Sequence, residues 1–181
     1  TGVSLMKLDE GMDSGPILAQ RDAAIGDQEN TEDLTERLFE MGASLLIETL
    51  PKWIDGTITA NPQDDSQVTV SGLLERADGE IDWSRPADEI ARKVRAFHPW
   101  PGTFTTWNGK SLKVIDALSS SGSPSGATPG DVVRADDAQP AIVTGNGTLI
   151  LKRIQLEGRK PVTASEFVQG YQDFIGSHLE S

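Results

Sequence analysis

The sequence predicts an α/β segment followed by an all-β segment, and three observations carry that division. Residues 1–56 alternate strand and helix signals. Pro99-Trp100-Pro101-Gly102 then breaks the pattern. After it come short apolar runs punctuated by Asn108-Gly109 and Asn146-Gly147, the dipeptide that favours tight hairpin turns. The expected division is 1–80 for the α/β piece and its linker, 81–102 for a helix and the HPWPG junction, and 103–181 for a small barrel with a closing helix.

In chain order, Val3 to Leu8 is apolar on alternate positions, as a half-buried strand requires. Leu8 to Leu18, LDEGMDSGPIL, sets three acids between glycines and reads as a turn. Pro16 to Arg21 resumes a strand. Asn30-Thr31-Glu32-Asp33 is a helix start with a capping side chain and first-turn acids. Leu34, Leu38, Met41, Leu45 and Leu46 follow at helical spacing as a core-facing stripe, Pro51 should kink the helix or open a new turn, and Asp55-Gly56 ends it. Residues 57–83 read as a connection, with Val68-Thr69-Val70 at most a short strand.

Ser84 is the expected N-cap of a second helix, with Pro86 in its first turn and Asp88 and Glu89 near its N-terminus. Ile90, Val94 and Phe97 line one face, and Asp88/Arg92 and Glu89/Lys93 have the spacing of helix ion pairs. Five strands are expected at 103–107, 111–117, 130–135, 140–144 and 148–157, with a Ser/Gly/Pro loop from Ser119 to Ala127. Thr163-Ala164-Ser165-Glu166 caps a last helix carrying Phe167, Val168 and Tyr171. Five short strands and a closing helix suggest a small barrel, for which the OB type is one candidate.

The formal net charge is −12, concentrated in residues 1–97, where 9 Lys and Arg face 20 Asp and Glu; residues 98–181 carry 7 against 8. A polyanion footprint needs clustered cations, so it belongs to the second half or the junction. There is no cysteine, which excludes disulfides, thiolate metal sites and thiol nucleophiles and fits a cytoplasmic location. The two histidines, His98 and His178, lie far apart, and no metal is expected. No apolar run approaches the length of a membrane span. The chain opens directly in a strand, without an initiator Met, and reads as the middle of something longer.

Ile81-Asp82-Trp83-Ser84 followed by Val94-Arg95-Ala96-Phe97-His98-Pro99-Trp100-Pro101-Gly102 resembles the methionyl-tRNA formyltransferases. The resemblance covers essentially the whole chain, from Thr1-Gly2-Val3 through LDEGMDSGPIL to Leu156-Glu157-Gly158-Arg159-Lys160-Pro161. It implies the C-terminal part of a Rossmann-like formyltransferase domain joined to an OB-like barrel. It also implies transfer of a formyl group from 10-formyltetrahydrofolate to the amino group of methionyl initiator tRNA. The family's catalytic Asn, His and Asp map so that only the Asp, at Asp13, falls within this sequence. The 181-residue chain is therefore expected to be inactive by itself.

Such a carboxylate can hold an imidazole in a useful charge state while an amine attacks the formyl carbon. Glu10, Gly11 and Met12 are the folate-contact candidates. For tRNA the resemblance points to Arg92, Lys93, Arg95, Lys110, Lys113, Lys152, Arg153, Arg159 and Lys160. His98 reads as a packed junction residue. The alternatives are a related folate-dependent enzyme acting on an amino-sugar nucleotide or on formyl-folate itself, and a non-catalytic RNA-binding barrel.

Overall fold

A computed structural model describes residues 1–122, 124–135 and 138–180. The chain forms two compact units, Thr1–Leu73 and Leu74–Ser181. In the first, β1 (Gly2–Met6) and β2 (Ile17–Asp22) make an antiparallel hairpin around the acidic loop, and α1 (Thr31–Ile54) follows. Asn30 Oδ1 accepts from the Asp33 amide at 3.0 Å, as the local sequence predicts for a helix cap. Pro51 does not interrupt α1, because it lies in the last turn, one turn before the Asp55 C-cap. Of the expected apolar stripe only Leu45 is fully buried; Leu46 is exposed, and Phe39 and Ile47 stand open to solvent on the same helix. Val68–Val70 is not a strand; the preceding residues form a single 3₁₀ turn, Asp65–Gln67.

The second unit holds α2 (Ala87–Ala96), β3 (Thr103–Trp107), β4 (Lys110–Ser120), β5 (Val132–Arg134), β6 (Pro140–Val143), β7 (Thr148–Leu156), β8 (Val162–Thr163) and α3 (Ala164–Gly170). The boundary at Leu73/Leu74 differs from the expected one. Residues 81–102 do not stand apart as a connecting helix: Ile81, Trp83, Ile90, Ala91 and Val94 are buried in one core with Leu112, Val114, Leu151, Ile154, Phe167 and Phe174. Trp83 anchors that segment, its Nε1 donating to Thr105 Oγ1 at 3.2 Å.

Ser84 is not the cap of α2. Its amide and hydroxyl both bond Asp82 Oδ1, at 2.9 and 2.6 Å, and the helix starts after Pro86. The side chain is consumed by its own turn, and the Ala87 amide is satisfied by the Asn146 carbonyl at 2.9 Å. Asp88 pairs with Arg92 as expected. Glu89 instead pairs with Arg85, while Lys93 Nζ reaches the Glu80 carbonyl at 2.6 Å.

The sheet is antiparallel in the order β3-β4-β7-β6-β5, with β8 on β7. Asn108 and Gly109 make the predicted two-residue turn, both with positive φ, so Trp107 pairs directly with Lys110. Asn146-Gly147 is different: it lies in a four-residue connection from Val143 to Thr148, tied by Thr144 Oγ1 to the Gly147 carbonyl. The sheet curls, and residues 175–180 join its two edges, where Asp131 bridges His178 beside β5 and Thr106 bridges Glu180 on β3. This tail contact and β8 have no counterpart among the expected elements. The expected loop from Ser119 to Ala127 is shortened by β4 running to Ser120, and Ser123 within it lies outside the described residues. Thr163 and Glu166 form a reciprocal capping box on α3. Among the described residues no helix is long and apolar enough to cross a membrane.

Candidate functional site

The loop between β1 and β2 is built by a division of labour among its polar residues. Asp9 Oδ1 accepts from the Gly11 amide at 3.0 Å and from Ser14 Oγ at 2.8 Å, closing the turn from inside. The Lys7 amide donates to the Pro16 carbonyl at 2.9 Å across the base. From outside, Gln63 Nε2 donates to the carbonyls of Asp13 and Gly15, at 2.8 and 2.7 Å. Asn61 and Ile17 exchange both backbone bonds, at 2.7 and 2.8 Å, which lays the segment carrying Gln63 along β2.

Asp13 stands at φ +55°, a backbone conformation Asp tolerates better than most residues. Its backbone is held, yet its carboxylate makes no hydrogen bond or ion pair among the described residues and is exposed. The acid that shapes the turn is therefore Asp9; Glu10 and Asp13 are left available, and of these two Asp13 has its carbonyl held by Gln63. Glu10 and Met12 are also exposed, Met12 almost completely. The Gly11 amide is engaged by Asp9, so any main-chain contact it makes to a ligand falls to its carbonyl.

The nine basic candidates are distributed over α2, β4, β7 and the turn after β7. Arg92 is exposed and paired with Asp88, Arg95 Nη1 donates to the Ala91 carbonyl at 3.2 Å, and Lys152 Nζ reaches Gln139 Oε1 at 2.5 Å. Lys93 lies over the Phe97 ring, 5.5 Å from its centroid. Lys110, Arg153, Arg159 and Lys160 are exposed. Lys113 is the best placed: facing Gln155 across β4 and β7, it lines a 440 Å³ pocket with Arg76, Ser111 and Glu157. The same lysine lines a 160 Å³ pocket with His98 and Pro99. Arg76 was not a sequence candidate; it sits in a 3₁₀ turn within what reads as a plain linker. His98 is half-buried.

Elsewhere, hydrogen bonds from Arg37, and then from the Gly26 amide, lower the Glu29 carboxyl to a pKa of about 2. Asp131 is held below the usual carboxylate range by the Thr128 amide first and His178 second, with His178 Nδ1 at 2.8 Å. These are structural ties. No group of three or more His, Asp or Glu side chains suited to a metal ion occurs among the described residues.

A curled antiparallel sheet with α2 in its core, and a hairpin loop whose Asp13 carboxylate is unengaged among the described residues, define a class that direct comparison identifies. The family model for the formyl transferase C-terminal domain matches residues 73–172, and that for formyl transferase matches residues 1–50. The chain belongs to the formyl transferase family. It is 44% identical over 179 residues to methionyl-tRNA formyltransferase of Roseiflexus castenholzii, a match covering 99% of this chain and 57% of the relative. Against methionyl-tRNA formyltransferase of Chloroflexus aggregans it is 43% identical over 171 residues, 94% of this chain and 55% of the relative. The chain thus spans just over half the length of these relatives. Among solved structures, HypX from Aquifex aeolicus in complex with tetrahydrofolic acid superposes with a TM-score of 0.72 at 18% identity, over 96% of this chain and 31% of that one, which speaks to the fold.

Proposed function

We propose that this chain is part of an enzyme that transfers the formyl group of 10-formyltetrahydrofolate to the amino group of methionyl initiator tRNA in the cytoplasm. One observation carries the reading: Asp13 has its backbone clamped and its carboxylate unengaged, while turn formation is done by Asp9 and Gln63. Glu10 is equally unengaged, but no side chain holds its backbone as Gln63 holds that of Asp13. An unengaged carboxylate on a held backbone can orient an imidazole and take part in moving the proton that leaves the attacking amine. Folate enters as a substrate; Glu10, Met12 and the Gly11 carbonyl border the same loop. The names of the relatives support methionyl-tRNA as acceptor. The second unit is the RNA-contacting, OB-like part in this reading, and Arg76 and Lys113 are its first phosphate ligands, since such contacts require converging cations.

The test is a formyl-transfer assay on the full-length gene product with 10-formyltetrahydrofolate and three acceptors: methionyl initiator tRNA, an amino-sugar nucleotide, and water. Formyl-methionyl-tRNA as the dominant product is expected. Turnover confined to the sugar nucleotide, or to formate release, contradicts it.

A further inference from the structure

Gln63 belongs to Pro62-Gln63-Asp64-Asp65-Ser66, a polar stretch that reads as mere connection. In the fold its amide makes both of its donations to a single target, the carbonyls flanking Ser14, at 2.8 Å to Asp13 and 2.7 Å to Gly15. Two acceptors facing one side-chain amide fix its orientation, because the reversed amide would set oxygen against oxygen. The grip is long-range: 50 residues separate Gln63 from Asp13. It is also braced, since Asn61 is doubly bonded to Ile17 and Pro62 has a fixed φ. On the opposite side Asp9 holds Gly11 and Ser14. The Asp13-Ser14-Gly15 backbone is therefore pinned from two sides, while the Asp13 side chain stays unengaged.

We infer that Gln63 is a positioning residue for formyl transfer, fixing the direction in which the Asp13 carboxylate is presented through its clamp on the carbonyls of Asp13 and Gly15. The inference rests on the reading of Asp13 as the acting carboxylate. Its physical content is that orientation must be held tightly for a proton-handling group: misplacement by about 1 Å can cost on the order of 10²-fold in rate. Gln63→Glu keeps the side-chain shape but replaces both donors with an oxygen that faces two carbonyl oxygens.

In the full-length gene product, Gln63→Glu and Gln63→Ala should each lower kcat by roughly 10- to 100-fold, leaving KM for tRNA and for folate within about twofold, the pattern of a transition-state effect. Combined with Asp13→Asn, Gln63→Glu should add less than about twofold, because a clamp has nothing left to orient. In the 181-residue chain, amide exchange should rise only at residues 10–15. Wild-type kcat in Gln63→Glu beside a damaged Asp13→Asn overturns the inference and spares the role of Asp13. An undamaged Asp13→Asn overturns the reading beneath it. Independent, multiplicative losses in the double variant, or exchange rising throughout β1, β2 and α1, would make Gln63 a structural residue and reject the positioning role.

Discussion

Gly15→Ala is the sharpest single probe of how the acidic loop is built. A Cβ at Gly15 would lie 1.7 Å from the Lys7 carbonyl oxygen and 2.9 Å from its carbon. Both atoms are backbone, so no side chain can swing away, and the strand and the loop must part by more than 1 Å. That movement acts on the Lys7-to-Pro16 bond and on the Gln63-to-Gly15 bond. At about 0.5–1.5 kcal/mol each, their loss costs about 1–3 kcal/mol before any strain is counted. Gly11 is the control. A Cβ there meets Ser14 Oγ at 2.0 Å, the end of a rotatable side chain, so only the Ser14-to-Asp9 bond is at risk and about 0.5–1.5 kcal/mol is expected. Amide exchange of β1 and β2 reads both variants. Since 1.4 kcal/mol is tenfold, Gly15→Ala should speed exchange by about 5- to 150-fold and Gly11→Ala by about 2- to 12-fold. Equal effects, or a silent Gly15→Ala, would refute the close approach of Gly15 to Lys7.

Two further perturbations follow from the structure. Trp83→Ala empties a side chain only 1% exposed and removes its bond to Thr105, so the second unit should lose about 3–5 kcal/mol, read as a fall in urea midpoint by near-UV circular dichroism. Hydrogen bonds from Arg37 and the Gly26 amide lower the Glu29 carboxyl from its ordinary 4.5 to about 2, so its contribution to stability is complete above pH 4.5 and is lost as pH falls toward 2; the urea midpoint of Glu29→Gln should lie below wild type at neutral pH and converge with it near pH 2.

What was legible in the sequence was what neighbouring residues decide. Asn30 and Thr163 cap their helices, and Asn108-Gly109 turns its hairpin, because each device closes within four residues. Asp13 is a candidate through the family motif in which it sits. The roles within the loop were not legible. Asp9 looks like a solvated acid until Ser14 and Gly11 are seen to converge on it, and Gln63 is 50 residues from the carbonyl it holds. Ser84 has a good N-cap signature, yet Asp82, two residues earlier, takes its donors, while the first amide of α2 finds a carbonyl at Asn146. The tail at 175–180 joins the sheet edges through backbone bonds, which carry no side-chain signal for pattern reading. Charge marks the tRNA candidates in the sequence but carries no sign of their surroundings, such as the half-burial of Lys93, Arg95 and Lys152, and a lone arginine in a linker, Arg76, has no pattern at all.

In the proposed function the loop divides tasks among its acids, with Asp9 shaping the turn and Asp13 serving the chemistry. This division is tested most directly by kcat for formyl transfer in the full-length gene product carrying Asp13→Asn or Asp9→Asn. Asn at position 9 keeps an oxygen for Gly11 and Ser14, so that variant should stay within about tenfold of wild type, two hydrogen bonds being weakened and not lost. Asn at position 13 leaves the backbone clamp in place and removes the charge, so kcat should fall by roughly 10²–10⁴ with KM for tRNA unchanged. An Asp13→Asn enzyme within about threefold of wild type, far short of the loss expected for a general acid–base group, would show that Asp13 takes no part in the chemistry.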